Sequence, residues 1–549
     1  MPSYEGRLEL TWTNKHLRLL AHEDGSYEWL DPSDYRVAEV RLLHDVDTVG
    51  HVSRTRATDN LLIRGDALHA LTSLARLPEF AREYLGKVKL AYLDPPFNTG
   101  QAFEQYDDAL EHSVWLTMMR DRLQQVHKLL SRDGSVWVHL DDVEMAYCQV
   151  VLDEIFGRNN FISTIIWSRA DAPRSVAKFL SNDQDYILVY AKDASALSVN
   201  RLPRDDETDR AYKNPDNDPR GPWHPRPFTA SKPYSKGRYI IEGPTGKQFS
   251  PPNGRYWLRS EGTFHELNAD GRVYWGVKGD GAPMIKGFLA EVGDLVPRTI
   301  WHYQDVGSSR TAKYESKALF GSERAFDTPK PEGLMSRLIG IASNPGDIVL
   351  DCFAGSGTAA SVAQKTGRRW VAIERESDTI RTYALPRLQA VVSGEEPGGL
   401  TKETGWQGGG GFRVLDVAPS MFEADQGLVC LAEGMVNGRL AEATAAQLGF
   451  EYEADPPFAG RKGRSRLAVV DGVVNAAVVR LLAQALDAAE RVVICGTGID
   501  ADARPILREL RPGSTLRKIP AALLSEYRSA RTTFSKPAPD EPVPAEVGS

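Results

Sequence analysis

A carboxylate, two prolines and an aromatic ring stand together in the segment Asp94-Pro95-Pro96-Phe97. The apolar run 90–93 before it predicts a buried strand, which the prolines prevent from continuing. Ligands bind at the carboxyl ends of strands in open α/β sheets, so these residues would lie at a binding edge. The Asp94 carboxylate and the Pro95 carbonyl can accept hydrogen bonds from an exocyclic amine, while Phe97 can stack on the heterocycle that carries it. The segment therefore indicates chemistry on an aromatic amine.

A second group of chemically informative residues comes much later, in the run Asp351-Cys352-Phe353-Ala354-Gly355-Ser356-Gly357-Thr358. Its glycines allow a tight turn that leaves room for a bound nucleoside. The next predicted strand ends on Glu374, an acid placed to accept hydrogen bonds from ribose hydroxyls. The glycine spacing also suits a nicotinamide dinucleotide, but a carboxylate at Asp351 fits a cationic ligand better than a pyrophosphate. This pattern favours S-adenosylmethionine over a dinucleotide.

Both groups resemble motifs of amino-methylating DNA methyltransferases. Asp94 to Phe97 resembles their D/N/S-P-P-Y/F motif, and the extension Asn98-Thr99-Gly100 resembles the version in modification subunits of type III restriction systems. The F-x-G-x-G form of 353–357 is similar to their S-adenosylmethionine loop. The resemblance implies three further cofactor-binding residues: Asp66, which would contact the cofactor's adenine amino group, and Thr328 and Lys330, which would lie near its methionine end. Asp66 fits an N-cap of the following helix equally well, and capping of the helix that follows them is the alternative for Thr328 and Lys330.

Strands and helices alternate over 60–195 and again over 326–395, which predicts a doubly wound α/β sheet. Neither stretch has enough strands for a two-sided sheet of its own, so we expect them to form one discontinuous domain. Their order along the chain resembles the circularly permuted β class of amino-methyltransferases, with a Rossmann-like sheet, an inserted target-recognition domain and a small C-terminal α/β domain. The predicted boundaries are 1–55 (a peripheral N-terminal segment), 56–195 (catalytic half), 196–325 (target-recognition insert), 326–395 (cofactor half), 396–416 (glycine-rich linker), 417–530 (C-terminal domain) and 531–549 (a disordered tail).

The central insert is rich in turn residues, aromatics and basic residues. Residues 200–260 contain 12 Lys and Arg against seven Asp and Glu, although the whole chain has a net charge of -8. Such a composition is typical of a surface that grips a phosphate backbone and reads bases. A solvated, loop-rich domain without nucleic-acid contacts is the alternative.

The overall composition sets outer limits on the function. The chain has 549 residues, 42% hydrophobic and 26% charged, with no window apolar enough to span a membrane. Four scattered cysteines without ligand spacing indicate neither a zinc site nor disulfides. We therefore expect a cytoplasmic protein without a metal site and with no membrane partner.

For two sequence features, a functional and a structural interpretation compete. The four-residue motif recurs as Asp455-Pro456-Pro457-Phe458. The segment before it, 450–454, is too short and too charged for a buried strand, so we predict a loop there. We expect Trp115, Trp137 and Trp167 in the core, and a structural role for His139.

The combined hypothesis is transfer of a methyl group from S-adenosylmethionine to adenine N6 in double-stranded DNA, with the target base flipped out of the helix. Cytosine N4 presents the same amine chemistry and stays open, and an RNA or protein methyltransferase is less consistent with the large insert. A different possibility is a DNA-recognition subunit that delivers a separate helicase-nuclease. The resemblance also implies a homodimer.

Overall fold

The computed structural model describes residues 9–22, 26–98, 111–173, 179–425 and 428–534. Its strands, in chain order, are β1 (Arg18–Ala21), β2 (Tyr27–Leu30), β3 (Leu43–Gly50), β4 (Asn60–Arg64), β5 (Val88–Leu93), β6 (Leu130–Leu140), β7 (Phe161–Ser168), β8 (Gln184–Ala191), β9 (Trp223–Pro227), β10 (Thr229–Ala230), β11 (Ile241–Glu242), β12 (Gln248–Phe249), β13 (Tyr256–Trp257), β14 (Val273–Tyr274), β15 (Met284–Phe288), β16 (Ile300–Trp301), β17 (Ile348–Asp351), β18 (Arg369–Glu374), β19 (Gly411–Val417), β20 (Phe422–Asp425), β21 (Leu428–Leu431), β22 (Glu451–Asp455), β23 (Phe458–Lys462), β24 (Ser465–Val474), β25 (Arg491–Ile499) and β26 (Thr515–Lys518).

The α-helices are α1 (Tyr35–Ala38), α2 (Ala67–Arg76), α3 (Pro78–Tyr84), α4 (His112–Leu129), α5 (Met145–Phe156), α6 (Asp206–Asp209), α7 (Glu261–Ala269), α8 (Tyr303–Val306), α9 (Ser309–Phe320), α10 (Glu332–Ala342), α11 (Thr358–Lys365), α12 (Ser377–Thr379), α13 (Leu385–Ser393), α14 (Leu400–Thr404), α15 (Asn437–Leu448), α16 (Ala476–Gln484), α17 (Ala503–Leu510) and α18 (Ala521–Phe534). Short 3-10 turns occupy Arg56–Thr58, Arg158–Asn160 and Leu289–Glu291, and a π-helical turn occupies Ile380–Ala384. None of these helices is both long and apolar enough to cross a membrane.

The larger compact unit, 1–199 with 298–549, is built on a ten-stranded sheet of order β16-β7-β8-β6-β5-β17-β18-β4-β19-β3. Strand β8 runs antiparallel to β6 and β7, and β3 runs antiparallel to β19, while the other neighbours are parallel. The pairing of β5 with β17 joins the two predicted halves, so the α/β class and the shared sheet are confirmed. Circular permutation describes a relation to other proteins and stays a prediction.

The residues of β5 are all buried, as the apolar run predicts, and helices α2, α4 and α5 pack against the same core. The core also contains Trp115, and Trp137 and Trp167 are buried as well, in agreement with their expected structural roles. Residues buried on both faces of a parallel sheet are what hold its strand ends in fixed positions.

Three predicted boundaries differ from the structure. The predicted linker 396–416 is wrong in its last part, because β19 is a strand between β4 and β3 of the main sheet. The predicted N-terminal segment 1–55 contributes β3 to that sheet rather than only covering it. The predicted insert 196–325 is longer than the smaller compact unit, Asn200–Pro297, because β16 pairs with β7 in the larger unit.

The smaller unit has a three-stranded antiparallel sheet, β14-β15-β9, and a core around Phe228, Trp257 and Phe264. Four of its basic side chains lie outside this core and are exposed: Lys232, Lys236, Arg238 and Arg255. We refer to these four residues as the basic ridge. Some of the aromatic residues of the predicted insert are therefore structural, and the four residues of the basic ridge face solvent.

The C-terminal part contains a five-stranded sheet, β22-β23-β24-β25-β26. It belongs to the larger compact unit, so a separate small α/β domain stays a prediction. The second Asp455 to Phe458 segment joins β22 to β23 in an antiparallel hairpin. The prediction of a loop over 450–454 is wrong, since β22 is an exposed strand, but the segment does not follow a buried parallel strand. The predicted disordered tail begins inside α18, and its residues from 535 lie outside the described chain.

Candidate active site

The carboxyl ends of β5, β17 and β18 meet at one edge of the main sheet. In the pairing of β17 with β5, Asp351 lies opposite Tyr92, two residues before Asp94. A cavity of about 720 Å³ opens at this edge and is lined by residues of both sequence stretches, including Asp94, Phe97, Asp351 and Glu374. Two segments far apart in sequence thus contribute to one site, as the sequence predicts.

The Asp94–Phe97 corner is held by the helix that follows it. Trp115 of α4 is fully buried and donates a hydrogen bond from Nε1 to the Pro96 carbonyl oxygen at 2.7 Å. Asn98 has a positive φ of 61° and donates from Nδ2 to Glu144 Oε1 at 2.7 Å. These bonds fix the exit of the motif, although Thr99 and Gly100 lie outside the described residues.

Lys330 lies directly at this corner. Its Nζ is 2.7 Å from Asp94 Oδ1 and 2.6 Å from Oδ2, and 4.9 Å from the centre of the Phe97 ring. The lysine side chain is 11% exposed and the aspartate side chain 21% exposed, so water screens this pair only partly. Lys330 therefore contacts the residues of the amine-binding motif. Its contact with the methionine end of a cofactor stays a prediction from resemblance.

Next to the Asp94–Phe97 corner, three polar side chains form a hydrogen-bonded chain in the protein interior. Tyr92 Oη lies 3.0 Å from His139 Nδ1, and His139 Nε2 lies 3.2 Å from Asp185 Oδ2. Burial alone would raise the pKa of Asp185, but the hydrogen bond and charge of His139, with Arg169 and Lys330, lower it. The ring centre of His139 is 5.9 Å from that of Phe97. His139 is thus a buried structural residue that also positions the motif's aromatic ring.

Sequence reasoning did not find this polar chain. His139 and Asp185 come from β6 and β8, whose antiparallel pairing brings them together across a separation that no local pattern encodes. An isolated histidine in an apolar strand was the available signal, and it indicated only burial.

The cofactor half of the site centres on two carboxylates, that of the buried Asp351 and that of the half-buried Glu374. Asp351 accepts a hydrogen bond from the Phe353 backbone N–H at 3.0 Å, and burial raises its pKa to about 8, helped by the nearby charges of Asp94 and Glu374. Glu374 accepts from three backbone N–H groups, those of Gly355 at 2.8 Å and of the two residues after Glu374 at 2.9 Å. Burial nevertheless raises the pKa of Glu374. A cation in this cavity would stabilise both ionised carboxylates.

The glycine loop itself follows the predicted turn. Gly355 and Gly357 have φ of 49° and 76°, a region that residues with a Cβ rarely adopt, and Gly357 is the N-cap of α11. The Ala354 N–H donates to the Ile373 carbonyl at 3.0 Å, which ties the loop to β18. The cavity is lined by Phe353, Ala354, Gly355, Ser356 and Thr358 of this loop.

A buried ionic cluster supports the loop from behind. Arg387 of α13 donates from Nη1 to Thr358 Oγ1 at 2.6 Å and to Ser356 Oγ at 3.2 Å, and its Nε pairs with Glu396 at 3.2 Å. Lys365 also contacts Glu396. Sequence reasoning missed these residues, because they are spread over helices and loops without a recognisable spacing.

The remaining predicted residues lie in two different places. Thr328 lines the cavity beside Lys330. The Asp66 carboxylate accepts from the Leu68 backbone N–H at 2.7 Å and pairs with Arg122 at 2.7 Å. Asp66 is therefore an N-cap of α2, and within the described chain neither it nor Gly357 is among the cavity-lining residues.

Comparison with known proteins decides the family. The model of the N6/N4 DNA methylase family matches residues 88–385, which contain both motifs and the smaller unit between them. This chain belongs to that family.

Several known proteins are similar to this chain. The StyLTI Mod subunit of a type III restriction-modification enzyme from Salmonella typhimurium is 31% identical over 376 residues, covering 62% of this chain and 54% of the relative. The type II methyltransferase M.EcaI from Enterobacter cloacae is 30% identical over 305 residues, covering 54% and 64%. The chain spans about half the length of the type III relatives that it matches. Among solved structures, the cytosine-N4-specific PvuII DNA methyltransferase is 15% identical with a TM-score of 0.35, covering 61% of this chain and 90% of that one.

The family implies S-adenosylmethionine, and the residues present fit this cofactor. It carries a sulfonium and an ammonium but no phosphate, and the cavity presents the carboxylates of Asp351, Glu374 and Glu376 on its cofactor side. A buried carboxylate whose pKa is about 8 is destabilised when ionised unless a cation lies near it. Asp351 would face the cationic groups, and Glu374 would accept from ribose hydroxyls.

Proposed function

We propose that this DNA methylase transfers a methyl group from S-adenosylmethionine to the N6 amine of adenine in double-stranded DNA. The observation that carries the proposal is the single cavity shared by the Asp94–Phe97 corner and the Asp351–Thr358 loop. Neither segment alone could bring an amine and a methyl donor together. The bound cofactor supplies an electrophilic methyl group on a sulfonium.

The chain's own residues make the amine a better nucleophile. The lone pair of an aromatic amine is delocalised into the ring, which makes the nitrogen unreactive. Asp94 and the Pro95 carbonyl would accept its two hydrogens and favour a pyramidal nitrogen with an available lone pair. Such catalysis rests on charges that are already placed before the reaction, without a covalent intermediate on the protein.

The target base has to leave the DNA stack to reach this corner. The Asp94 carboxylate is only partly exposed at the end of a buried strand, so a base within a duplex could not approach it. Phe97 would stack on the flipped base, and a cavity of about 720 Å³ is of the size that small-molecule sites have.

Adenine is the proposed base because Asp at the first motif position, by resemblance, favours N6 over cytosine N4. One relative, the DNA adenine methyltransferase YhdJ of Escherichia coli, is 24% identical over 327 residues and carries adenine in its name. The residues around Asp94 would serve either amine equally well.

We further propose that the chain is the modification subunit of a restriction-modification system. Several relatives are named as Mod subunits of type III enzymes. In this proposal the smaller unit, with its basic ridge, binds the DNA and contributes recognition. A homodimer, a separate restriction subunit and a cytoplasmic location are parts of the hypothesis that stay predictions.

One experiment tests this function. Long-read sequencing that detects modified bases would be applied to DNA of a host lacking methylation, with the gene expressed as wild type or as Asp94→Ala. We expect N6-methyladenine at one short motif with the wild type and unmodified DNA with the variant. Detection of N4-methylcytosine would identify cytosine instead of adenine as the target base. Unmodified DNA despite folded wild-type protein would refute the proposal.

A further inference from the structure

The contact between Lys330 and the amine-binding corner goes beyond the proposed function, on which its interpretation rests. The ammonium lies within hydrogen-bonding distance of both Asp94 oxygens and 4.9 Å from the centre of the Phe97 ring. These are the two groups that would hold the target base. A lysine ammonium and an exocyclic amine are both N–H donors, so they compete for the same acceptors.

The lysine is held in this position by its neighbours. Pro329 and Pro331 flank it, and Pro331 is the N-cap of α10 with φ of -70°. Proline fixes this backbone angle, so the segment presents the side chain from a restrained main chain. The side chain is 11% exposed and also faces the charges of Asp351 and Asp185. The contact is therefore built into the site rather than made by a freely moving surface lysine.

We propose that Lys330 is an internal substitute for the target amine, which the flipped base has to displace. The base cannot stack on Phe97 while the ammonium lies against the same ring. It also cannot place its amine on Asp94 while both oxygens are engaged. Lys330 is thus a positioning residue that keeps the Asp94 carboxylate oriented and paired until a base arrives.

Once the lysine is displaced, the Asp94 carboxylate discriminates between bases. A base with an exocyclic amine restores hydrogen bonds to Asp94 after the lysine leaves. A base that presents only a carbonyl at that position, such as thymine, leaves a partly buried carboxylate without a donor, which is strongly unfavourable. Asp94 therefore makes binding at the corner selective for amine-bearing bases, while the cost of displacing Lys330 is the same for every base.

The test compares two duplexes containing the methylation motif found by sequencing. One carries adenine at the target position and the other an abasic site, and binding is measured with saturating sinefungin, a cofactor analogue that has no transferable methyl group. The quantity of interest is the ratio of the two dissociation constants, abasic over adenine. Changes in phosphate contacts or overall stability affect both duplexes and cancel in this ratio.

We expect Lys330→Met to raise the ratio about tenfold or more, since a charge-assisted contact no longer opposes the base. Lys330→Arg, which conserves the charge, should stay close to wild type. With thymine at the target position, Lys330→Met should bind more tightly relative to the abasic duplex than the wild type does. If Lys330→Met does not fold, Lys330→Leu, which likewise has no N–H donor, provides the same comparison.

An unchanged or lower ratio in the charge-removing variant would overturn the proposal. That result together with weakened sinefungin binding would instead assign Lys330 to the cofactor's methionine end. Methylation by the wild-type protein is measured on the same adenine duplex with S-adenosylmethionine. Its absence refutes the proposed function, whereas methylation with an unchanged ratio refutes only the role of Lys330.

Discussion

The cavity of the larger unit and the basic ridge of the smaller unit both depend on charge, but they use it in opposite ways. The cavity contains two carboxylates: the buried Asp351 accepts from one backbone N–H group, and the half-buried Glu374 accepts from three. The ridge consists of exposed cations on a small domain, where Arg238 lies 4.8 Å over the Tyr256 ring. Preorganised charges in a site shielded from water act strongly on a reaction, whereas exposed charges are screened and individually replaceable. Substitutions in the two regions should therefore differ in size and in kind.

The largest effect is expected at the corner itself. Asp94→Ala should reduce kcat by roughly 10²–10³-fold, because one preorganised acceptor at the reacting amine is lost. Cofactor binding should persist, since Asp351 and Glu374 are unchanged, and calorimetry with S-adenosylmethionine would check this. A variant with near-normal turnover would remove Asp94 from the mechanism, and Asp94→Asn serves as the matched control of similar shape.

Cofactor binding should depend on pH through Asp351. Its pKa of about 8 means that the carboxyl is largely protonated in the free protein at neutral pH, and a cationic ligand requires the ionised form. Affinity should thus increase as pH rises from 6 to 8, by at most about tenfold per pH unit, and then level off. The measurement is the dissociation constant of S-adenosylmethionine across this range, together with proton release in buffers of different ionisation enthalpy.

Asp351→Asn should remove this pH dependence and weaken binding by about 2 kcal/mol or more, since one partner of a buried charge pair is lost. Glu376→Gln, an exposed carboxylate at the same cavity, is the control and should change affinity little. Equal pH profiles for wild type and Asp351→Asn would show that another group titrates.

A smaller effect is expected from the aromatic ring of the corner. Phe97→Ala should weaken binding of the flipped base by roughly 1–3 kcal/mol, the usual contribution of base stacking. Phe97→Tyr retains the stacking surface and should be mild. Fluorescence of 2-aminopurine at the target position would report base flipping, and identical signals for wild type and Phe97→Ala would contradict the stacking role.

The strongest predictions from sequence concern strands that end on acids. An apolar run stopped by prolines predicts both the buried strand β5 and the position of Asp94, because burial and the missing proline N–H act locally. The meeting of Asp94 with Asp351 follows from sheet topology, since parallel strands present their carboxyl ends at one edge. These parts of the site could be predicted because the local sequence pattern and the topology of the parallel sheet point to the same arrangement.

Other features could not be read in this way. The glycine tract that runs into β19 suggests a flexible linker, but a Cβ at Gly411, the first residue of the strand, would clash with the His51 carbonyl oxygen, so this glycine permits close strand packing. Lys330 lies between two prolines, in a segment without helix or strand periodicity. The sequence therefore does not indicate whether its side chain reaches the Asp94–Phe97 corner or the cofactor side of the cavity. Pairs such as His139 with Asp185 depend on the register of antiparallel strands, which single residues do not specify.

The smallest effects should come from the basic ridge. In the smaller unit the Trp257 N–H donates to the Gly237 carbonyl at 2.8 Å, which places the turn carrying Lys232 and Lys236 against strand β13. If these lysines contact phosphates, replacing either by Ala should lower the slope of log affinity against log salt by about 0.9. Binding should weaken about equally for DNA with and without the methylation motif, because phosphates carry no sequence information.

Lys278→Ala is the matched control for the ridge, because this lysine is also exposed in the smaller unit but lies outside the ridge. Fluorescence anisotropy over a range of salt concentrations would separate the variants. An exposed cation that only contacts DNA phosphates should alter DNA binding and leave the chemical step unchanged. A change in kcat at saturating DNA in Lys236→Ala would therefore contradict the distinction between the two regions. A reduced slope of log affinity against log salt with unchanged kcat would show that one set of charges binds the DNA and a separate set activates the amine.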